Sequence, residues 1–207
     1  MKVLSICGGL ETGYLALQEL GIPVEEYHTY EIFAPAIELS KKHFPNIVHH
    51  GDVIGADFSQ FKGFDLVMAG TCCQSLSVVR QENKDVCSGL KGKSAIFYEF
   101  ARAIEEIKPK WYLLENVIPK QKADENIITA KLGNPLMINS ADFSAQERKR
   151  LYWTNIPIAE LPDHNTLVLR DIMVDYVPAK DYYDKPFIYH GDDKRVIATL
   201  QVNTHDL

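Results

Sequence analysis

Through the first 115 residues the apolar positions fall in short runs, set apart by glycine, proline and polar turns, with amphipathic stretches between them. Val3-Leu4-Ser5-Ile6-Cys7 predicts a buried strand. Gly8-Gly9-Leu10-Glu11-Thr12-Gly13 then turns the chain into a helix over about Tyr14 to Leu20. Val24 to Ile32 predicts a second strand, and Pro35 suits the first turn of a helix running to about His43. Ile47-Val48-His49-His50 is a short third strand closed by Gly51-Asp52-Val53, and Phe64 to Ala69 is a fourth. Phe97, Phe100, Ile104 and Ile107 recur at spacings of three and four, which predicts a helix from about Ser94 to Ile107, ended by Lys108-Pro109. Trp111 to Leu114 is a fifth strand, Leu136 to Ile138 a sixth and Leu151 to Thr154 a seventh. The pattern assigns no element to residues 118–135. Beyond about Pro157 it weakens to strand-like pieces at Thr166-Leu169 and Val196-Leu200. Strands alternating with helices predict an α/β fold: a Rossmann-like, doubly wound, mostly parallel sheet.

Composition narrows the class of protein. A chain of 207 residues, 46% hydrophobic and 24% charged, can bury a sizeable core and is ordinary for a globular protein. No apolar run approaches the roughly 20 residues of a membrane span, and no signal peptide precedes the first strand. The four cysteines, Cys7, Cys72, Cys73 and Cys87, lack paired zinc spacing, so reduced thiols in a cytoplasm and no metal are expected. A net charge of -6 argues against a broad nucleic-acid surface but permits one local basic face.

Several polar residues sit where such a sheet binds ligands, just past the carboxyl ends of its strands. The fourth strand stops at Gly70 and leads into Thr71-Cys72-Cys73-Gln74. Two cysteines there fit buried structural thiols, or a nucleophile if the thiol's proton is removed. Glu31 at the end of the second strand fits a ribose-binding acid or a helix-start carboxylate. Glu115 past the fifth strand fits strand-end polarity or a general acid. His49 and His50 have no third ligand and read as solvated or core histidines. The run Gln146-Glu147-Arg148-Lys149-Arg150 is a solvated turn, or a pair of arginines facing one way from an extended backbone. Residues 78–93 form a long polar stretch of the kind used for binding loops.

With these residues in view, the chain resembles the cytosine carbon-5 DNA methyltransferases over residues 3–157. Gly9 and Gly13 match that family's cofactor-loop glycines, with Cys7 beside them, and Glu31 matches its ribose-binding acid. Asp52 matches the acid that meets the adenine amino group, with Ile32 and Val53 as adenine neighbours. Cys73-Gln74 with Ser77 matches the nucleophile motif, Glu115-Asn116-Val117 the Glu-Asn-Val motif, and Gln146, Arg148 and Arg150 the Gln-x-Arg-x-Arg motif. The resemblance implies S-adenosylmethionine as cofactor and double-stranded DNA as partner. Cys73 would add to a flipped-out cytosine, with Glu115 as acid and Arg148 holding the base or the carboxylate. Gln74, Ser77, Asn116, Gln146 and Arg150 would line the substrate. A mobile loop over residues 75–93 is expected.

Three departures accompany the match. Cys72 stands where the family has proline, which removes a φ constraint beside Cys73. Cys7 replaces an aromatic residue and Gly8 an acidic or small one, so weaker packing around the cofactor is expected. The late motifs of the family have no counterpart, so residues 1–157 are expected to be the catalytic and cofactor domain and 158–207 the start of a target-recognition region. The chain would then be a fragment, a truncated gene or one half of a split enzyme, completed by a C-terminal polypeptide. Two other readings stand beside this one. A non-catalytic member of the fold, binding DNA or a partner, is favoured by the departures at Cys72, Cys7 and the C-terminal motifs and disfavoured by the intact Cys73, Glu115 and Arg148 set. A different Rossmann-like enzyme explains Glu31 but not Cys73-Gln74 together with Glu115-Asn116.

Overall fold

Leu4 and Ile6 point to one side of the first strand and Val3 to the other, and all three are buried. A strand apolar on both faces belongs inside a sheet covered on both sides. In a computed structural model of the chain, residues 1–71, 76, 89–91, 95–161, 166–168, 171, 188–190 and 196–198 are described. Cys72, Cys73, Gln74, Ser77 and Cys87, and with them the nucleophile motif and most of the predicted loop, lie outside the described residues.

Two units separate along the chain: Met1–Met137 with Arg150–Ile158, and Ile138–Lys149 with Ala159–Leu207. The first carries β1 (Lys2–Ile6), α1 (Thr12–Glu19), β2 (Glu26–Tyr30), α2 (Ala34–His43), β3 (Val48–His49), β4 (Leu66–Gly70), α3 (Ile96–Ile107), β5 (Trp111–Asn116) and α4 (Lys122–Leu132). Two further strands, β6 (Leu136–Asn139) and β7 (Lys149–Thr154), complete a seven-stranded sheet of order β3-β2-β1-β4-β5-β7-β6. Pairing is parallel from β3 through β5 and antiparallel between β5 and β7. Strand order reverses between β1 and β4, which marks the topological switch point. In the second unit β8 (Ile188–His190) and β9 (Val196–Ala198) form an antiparallel pair.

Alternation along β1 and β4 divides the core in two. Val3, Leu66 and Met68 pack with Leu17 of α1 on one face. Leu4, Ile6, Val67 and Ala69 pack with Phe97 and Phe100 of α3 and Ile128 and Leu132 of α4 on the other. Helices therefore cover both faces, as the expected doubly wound fold requires.

Some boundaries differ from the sequence reading. Cys7 leaves β1 because it adopts a left-handed φ of 57°, although its N–H still donates to Tyr30 O at 2.8 Å. β2 is shorter than Val24–Ile32, since the Glu31 side chain accepts from the Ile32 and Phe33 amides and turns the chain away. β5 runs on through Glu115 and Asn116 because its pairing with β7 continues to Asn116↔Leu151. Helix α4 fills the span that the pattern left blank. Only Asp124, Ile128 and Leu132 are buried on it, a stripe too thin to read, and Trp153 of β7 donates to Thr129 of α4 at 3.2 Å. The described residues 166–168 carry no strand, and at the end of the chain the strand is Val196–Ala198.

Candidate functional site

Three strands of the first unit deliver polar residues to one edge. β1 ends at Ile6 and passes into the glycine turn, β4 ends at Gly70 and β5 at Asn116. Parallel register sets Gly70 beside Glu115. A Cβ added to Gly70 would lie 3.7 Å from Cys7 O and 3.9 Å from Glu115 Oε2, so the three strand ends meet there.

Glu115 and Asn116 leave β5 on opposite faces. The Arg150 Nε donates to Glu115 Oε1 at 3.0 Å, a charge-assisted contact from the neighbouring strand β7. Asn116 is buried; its amide donates to Thr71 Oγ1 at 2.9 Å and Thr71 O at 3.2 Å, and its Oδ1 accepts from Val117 N–H at 2.8 Å. This fixes Thr71, two positions before Cys73 in the sequence. Further along, Leu76 is buried and its carbonyl accepts from Lys120 N–H at 2.9 Å. Gly89 has φ +68° against the buried Asp124 carboxylate, which also accepts from Leu90 N–H at 3.3 Å. The start of α4 and the turn before it thus grip both Leu76 and Gly89.

The glycine turn is held by β2. Gly9 N–H donates to Glu31 Oε2 at 2.9 Å, while Glu31 Oε1 accepts from Ile32 N–H and Phe33 N–H, each at 2.8 Å. Gly9 has φ 58°, and a Cβ there would meet nothing within 4 Å, so the turn opens outward at this residue. Cys7 and Glu11 also take left-handed φ values, 57° and 58°. Outside glycine each such residue costs about 1–3 kcal/mol and persists only where its surroundings enforce it. Gly13 answers a packing need as well: a Cβ there would stand 2.5 Å from Met68 Sδ beneath α1.

Glu11 is the residue that the sequence reading passed over. It is fully buried, makes no cap to its own helix, and accepts from Thr29 Oγ1 at 2.6 Å and Tyr27 Oη at 3.0 Å. Burial pushes its carboxyl above the ordinary range, against the pull of those two hydroxyls. A Cβ built on Gly8 would fall inside this carboxylate. The gap at residue 8, expected to weaken packing, is filled from residue 11.

Other predicted residues are more dispersed. Ile32 is exposed, Val53 is buried in the larger core cluster, and exposed Asp52 accepts from Ile54 N–H at 2.9 Å. Leu10, Phe33 and Ile54 add exposed apolar surface on the turns after β1, β2 and β3. His28 Nδ1 and His50 Nε2 lie 2.8 Å apart, and burial lowers the pKa of His28, His49 and His50. Among the described residues no cluster of three or more His, Cys, Asp or Glu could hold a metal, and no helix is long and apolar enough to cross a membrane. In the second unit Gln146 and Arg148 are exposed, and Arg148 N–H donates to Asn139 Oδ1 at 3.0 Å.

A family profile described as C-5 cytosine-specific DNA methylase matches residues 1–184. The Type II methyltransferase M.NgoBV of Neisseria gonorrhoeae is 28% identical over 175 residues, covering 74% of this chain and 40% of that protein. The orphan methyltransferase M.SPRI of Bacillus phage SPR is 26% identical over 148 residues, covering 70% of this chain and 31% of that protein. The solved structure of S. pombe Dnmt2 methyltransferase superposes with a TM-score of 0.55 at 18% identity, covering 83% of this chain and 54% of that one; at this identity the likeness is one of fold. The chain thus spans about 40% of the length of the first of these relatives.

Proposed function

We propose that this chain, which belongs to the family of C-5 cytosine-specific DNA methylases, is the cofactor-binding and catalytic part of a DNA (cytosine-5-)-methyltransferase. The observation that carries the reading is the joined edge of β4 and β5. There Glu115 is held by Arg150 while Asn116 fixes the residue that leads to the Cys73 segment.

The β1–β2 edge fits S-adenosylmethionine. A carboxylate at the end of β2, an open turn at Gly9 and exposed apolar residues at Leu10, Ile32 and Ile54 suit a ligand with a diol, an apolar base and a charged tail. Glu31 would take the ribose hydroxyls, and Asp52 the adenine amino group, with Cys7, Gly9, Gly13, Ile32 and Val53 around them. When bound, the cofactor supplies an electrophilic methyl group.

Cytosine carbon 5 is too weak a nucleophile to take that group unaided. The Cys73 thiolate forms a bond to carbon 6, and Glu115 holds a proton at ring nitrogen 3, where negative charge develops. That addition would make carbon 5 nucleophilic enough for the methyl group, which the cofactor would give up to leave a neutral thioether; loss of the carbon 5 proton to water and cleavage of the bond between Cys73 and carbon 6 would then restore the aromatic ring and the thiolate. Arg150 keeps the Glu115 carboxyl aimed at the ring. Gln74, Ser77, Gln146 and Arg148 would complete the pocket for a base flipped out of double-stranded DNA. In this reading residues 1–157 carry the chemistry, 158–207 begin a target-recognition region, and the enzyme works in the cytoplasm of a bacterial or phage-infected cell.

The test is covalent capture on a duplex carrying 5-fluorocytosine, which cannot lose a proton from carbon 5. The chain is assayed with S-adenosylmethionine, alone and with a C-terminal target-recognition polypeptide supplied. Wild type should form a denaturant-stable adduct that Cys73→Ser abolishes and Cys72→Ser keeps. Retention in Cys73→Ser would assign the nucleophile elsewhere. Absence of any adduct in either setting would favour a non-catalytic member of the family.

A further inference from the structure

The turn between β1 and α1 is gripped by four residues of β2 and its end. Tyr27 and Thr29 donate to the Glu11 carboxylate, Tyr30 accepts from Cys7 N–H, and Glu31 accepts from Gly9 N–H. Two of these contacts are backbone-directed and pass no information about side chains in the turn. The other two converge on one buried acid. That acid lies where the side chain of residue 8 would lie, and residue 8 has none. Glu11 also directs the turn from within, since its N–H donates to Gly8 O at 3.0 Å and its carbonyl accepts from Tyr14 N–H at 3.0 Å at the start of α1.

We infer that Glu11 is a positioning residue of the cofactor site: its carboxylate fills the volume vacated at Gly8 and ties the turn to β2, so that the Gly9 amide stays in reach of Glu31. Gly8 and Glu11 form a coupled pair, because a side chain at residue 8 and the carboxylate of residue 11 compete for the same space. Three left-handed residues in a five-residue turn need such an anchor, and Thr29 and Tyr27 supply it from an adjacent strand. The inference rests on the reading of Gly9 and Glu31 as cofactor residues. It deepens that reading by naming what holds them together.

The experiment is titration calorimetry of the chain with S-adenosylhomocysteine, well below each variant's melting temperature, with melting followed separately. Wild type should bind, and Glu31→Ala should weaken binding. Glu11→Ala should weaken it by about tenfold or more, the scale of losing a charged acceptor. Gly8→Asp alone should weaken it similarly by clash. The double variant Gly8→Asp/Glu11→Ala restores a carboxylate to the same volume and should recover affinity to within about threefold of wild type. A purely structural role would lower the melting temperature without this recovery of affinity. If Glu11→Ala is too unstable to titrate, the comparison of Glu11→Gln, which keeps the shape, with Gly8→Ala, which intrudes on it, decides: near-normal binding by the first and loss by the second support the inference. Wild-type affinity in Glu11→Ala, or a double variant no better than the worse single one, overturns it while leaving Glu31 in place. Failure of wild type to bind at all overturns the cofactor reading itself and this inference with it.

Discussion

Arg150 reaches Glu115 across the antiparallel pair of β5 and β7, Nε to Oε1 at 3.0 Å, from two residues along the strand from Tyr152, which stands directly opposite. The two residues therefore share one face, and the contact depends on register. Both side chains keep some exposure, 20% for Arg150 and 32% for Glu115, so the pair contributes no more than about 1 kcal/mol to stability. Its value lies in aim. Arg150→Ala should leave the urea midpoint nearly unchanged and slow capture on the 5-fluorocytosine duplex by about tenfold to a hundredfold. Loss of stability with an unchanged capture rate would contradict this division of labour.

Asn116 presents the opposite case. It is buried, and its bonds to Thr71 and Val117 have no water to replace them. Asn116→Ala should destabilise the chain by about 1–3 kcal/mol, read from urea unfolding. Asn116→Asp should cost at least as much, because a carboxylate cannot donate to the Thr71 carbonyl.

Glu11 makes stability depend on pH. Burial raises its folded-state pKa, with the nearby Glu31 charge adding to the rise and the Thr29, Tyr27 and Ser5 hydroxyls opposing it. The folded chain then holds this proton more tightly than the unfolded chain. The contribution is fully present below the ordinary carboxylate pKa and is lost as pH rises through the raised one. Melting temperatures of wild type and Glu11→Gln, compared across that interval, should diverge with wild type losing ground as pH rises. A constant difference would mean that Glu11 does not titrate there.

Gly89 tolerates no side chain for two reasons, a φ of +68° and the Asp124 carboxylate at the place of its Cβ. Gly89→Ala should destabilise by more than about 1 kcal/mol. Asp124→Ala in the same chain should relieve the clash and leave the backbone strain, so the double variant should fall between Gly89→Ala and wild type in its urea midpoint. Additive losses would show that the two residues are not coupled.

How much of this was legible in the sequence depended on how local each cause is. The β1 and β4 runs and the three-and-four spacing of α3 are local patterns, and the structure places those elements within about two residues of the reading. The end of β5 was misread because apolarity stops at Leu114 while pairing with β7 continues to Asn116. Helix α4 buries a stripe three residues wide, and one of the three is an aspartate. Glu11 gave no signal at all, since the hydroxyls that bury it lie 16 and 18 residues further along the chain. For the same reason the motif that put Arg150 beside the substrate could not name its partner, which the pairing of β7 with β5 supplies as Glu115. Gly13 matched a cofactor motif, yet its missing side chain makes room for Met68 on β4.

The hold that Lys120 and Asp124 keep on Leu76 and on Gly89-Leu90 has an evolutionary corollary. Lys120 and Asp124 stand four positions apart, while the points they hold, Leu76 and Gly89, stand 13 apart in the sequence. A proline at 120 would remove the N–H that Leu76 accepts, and an apolar residue at 124 would remove the acceptor of the Leu90 N–H. The short stretch 120–124 is therefore constrained by partners far along the chain, and substitution there is narrower than its own local pattern suggests.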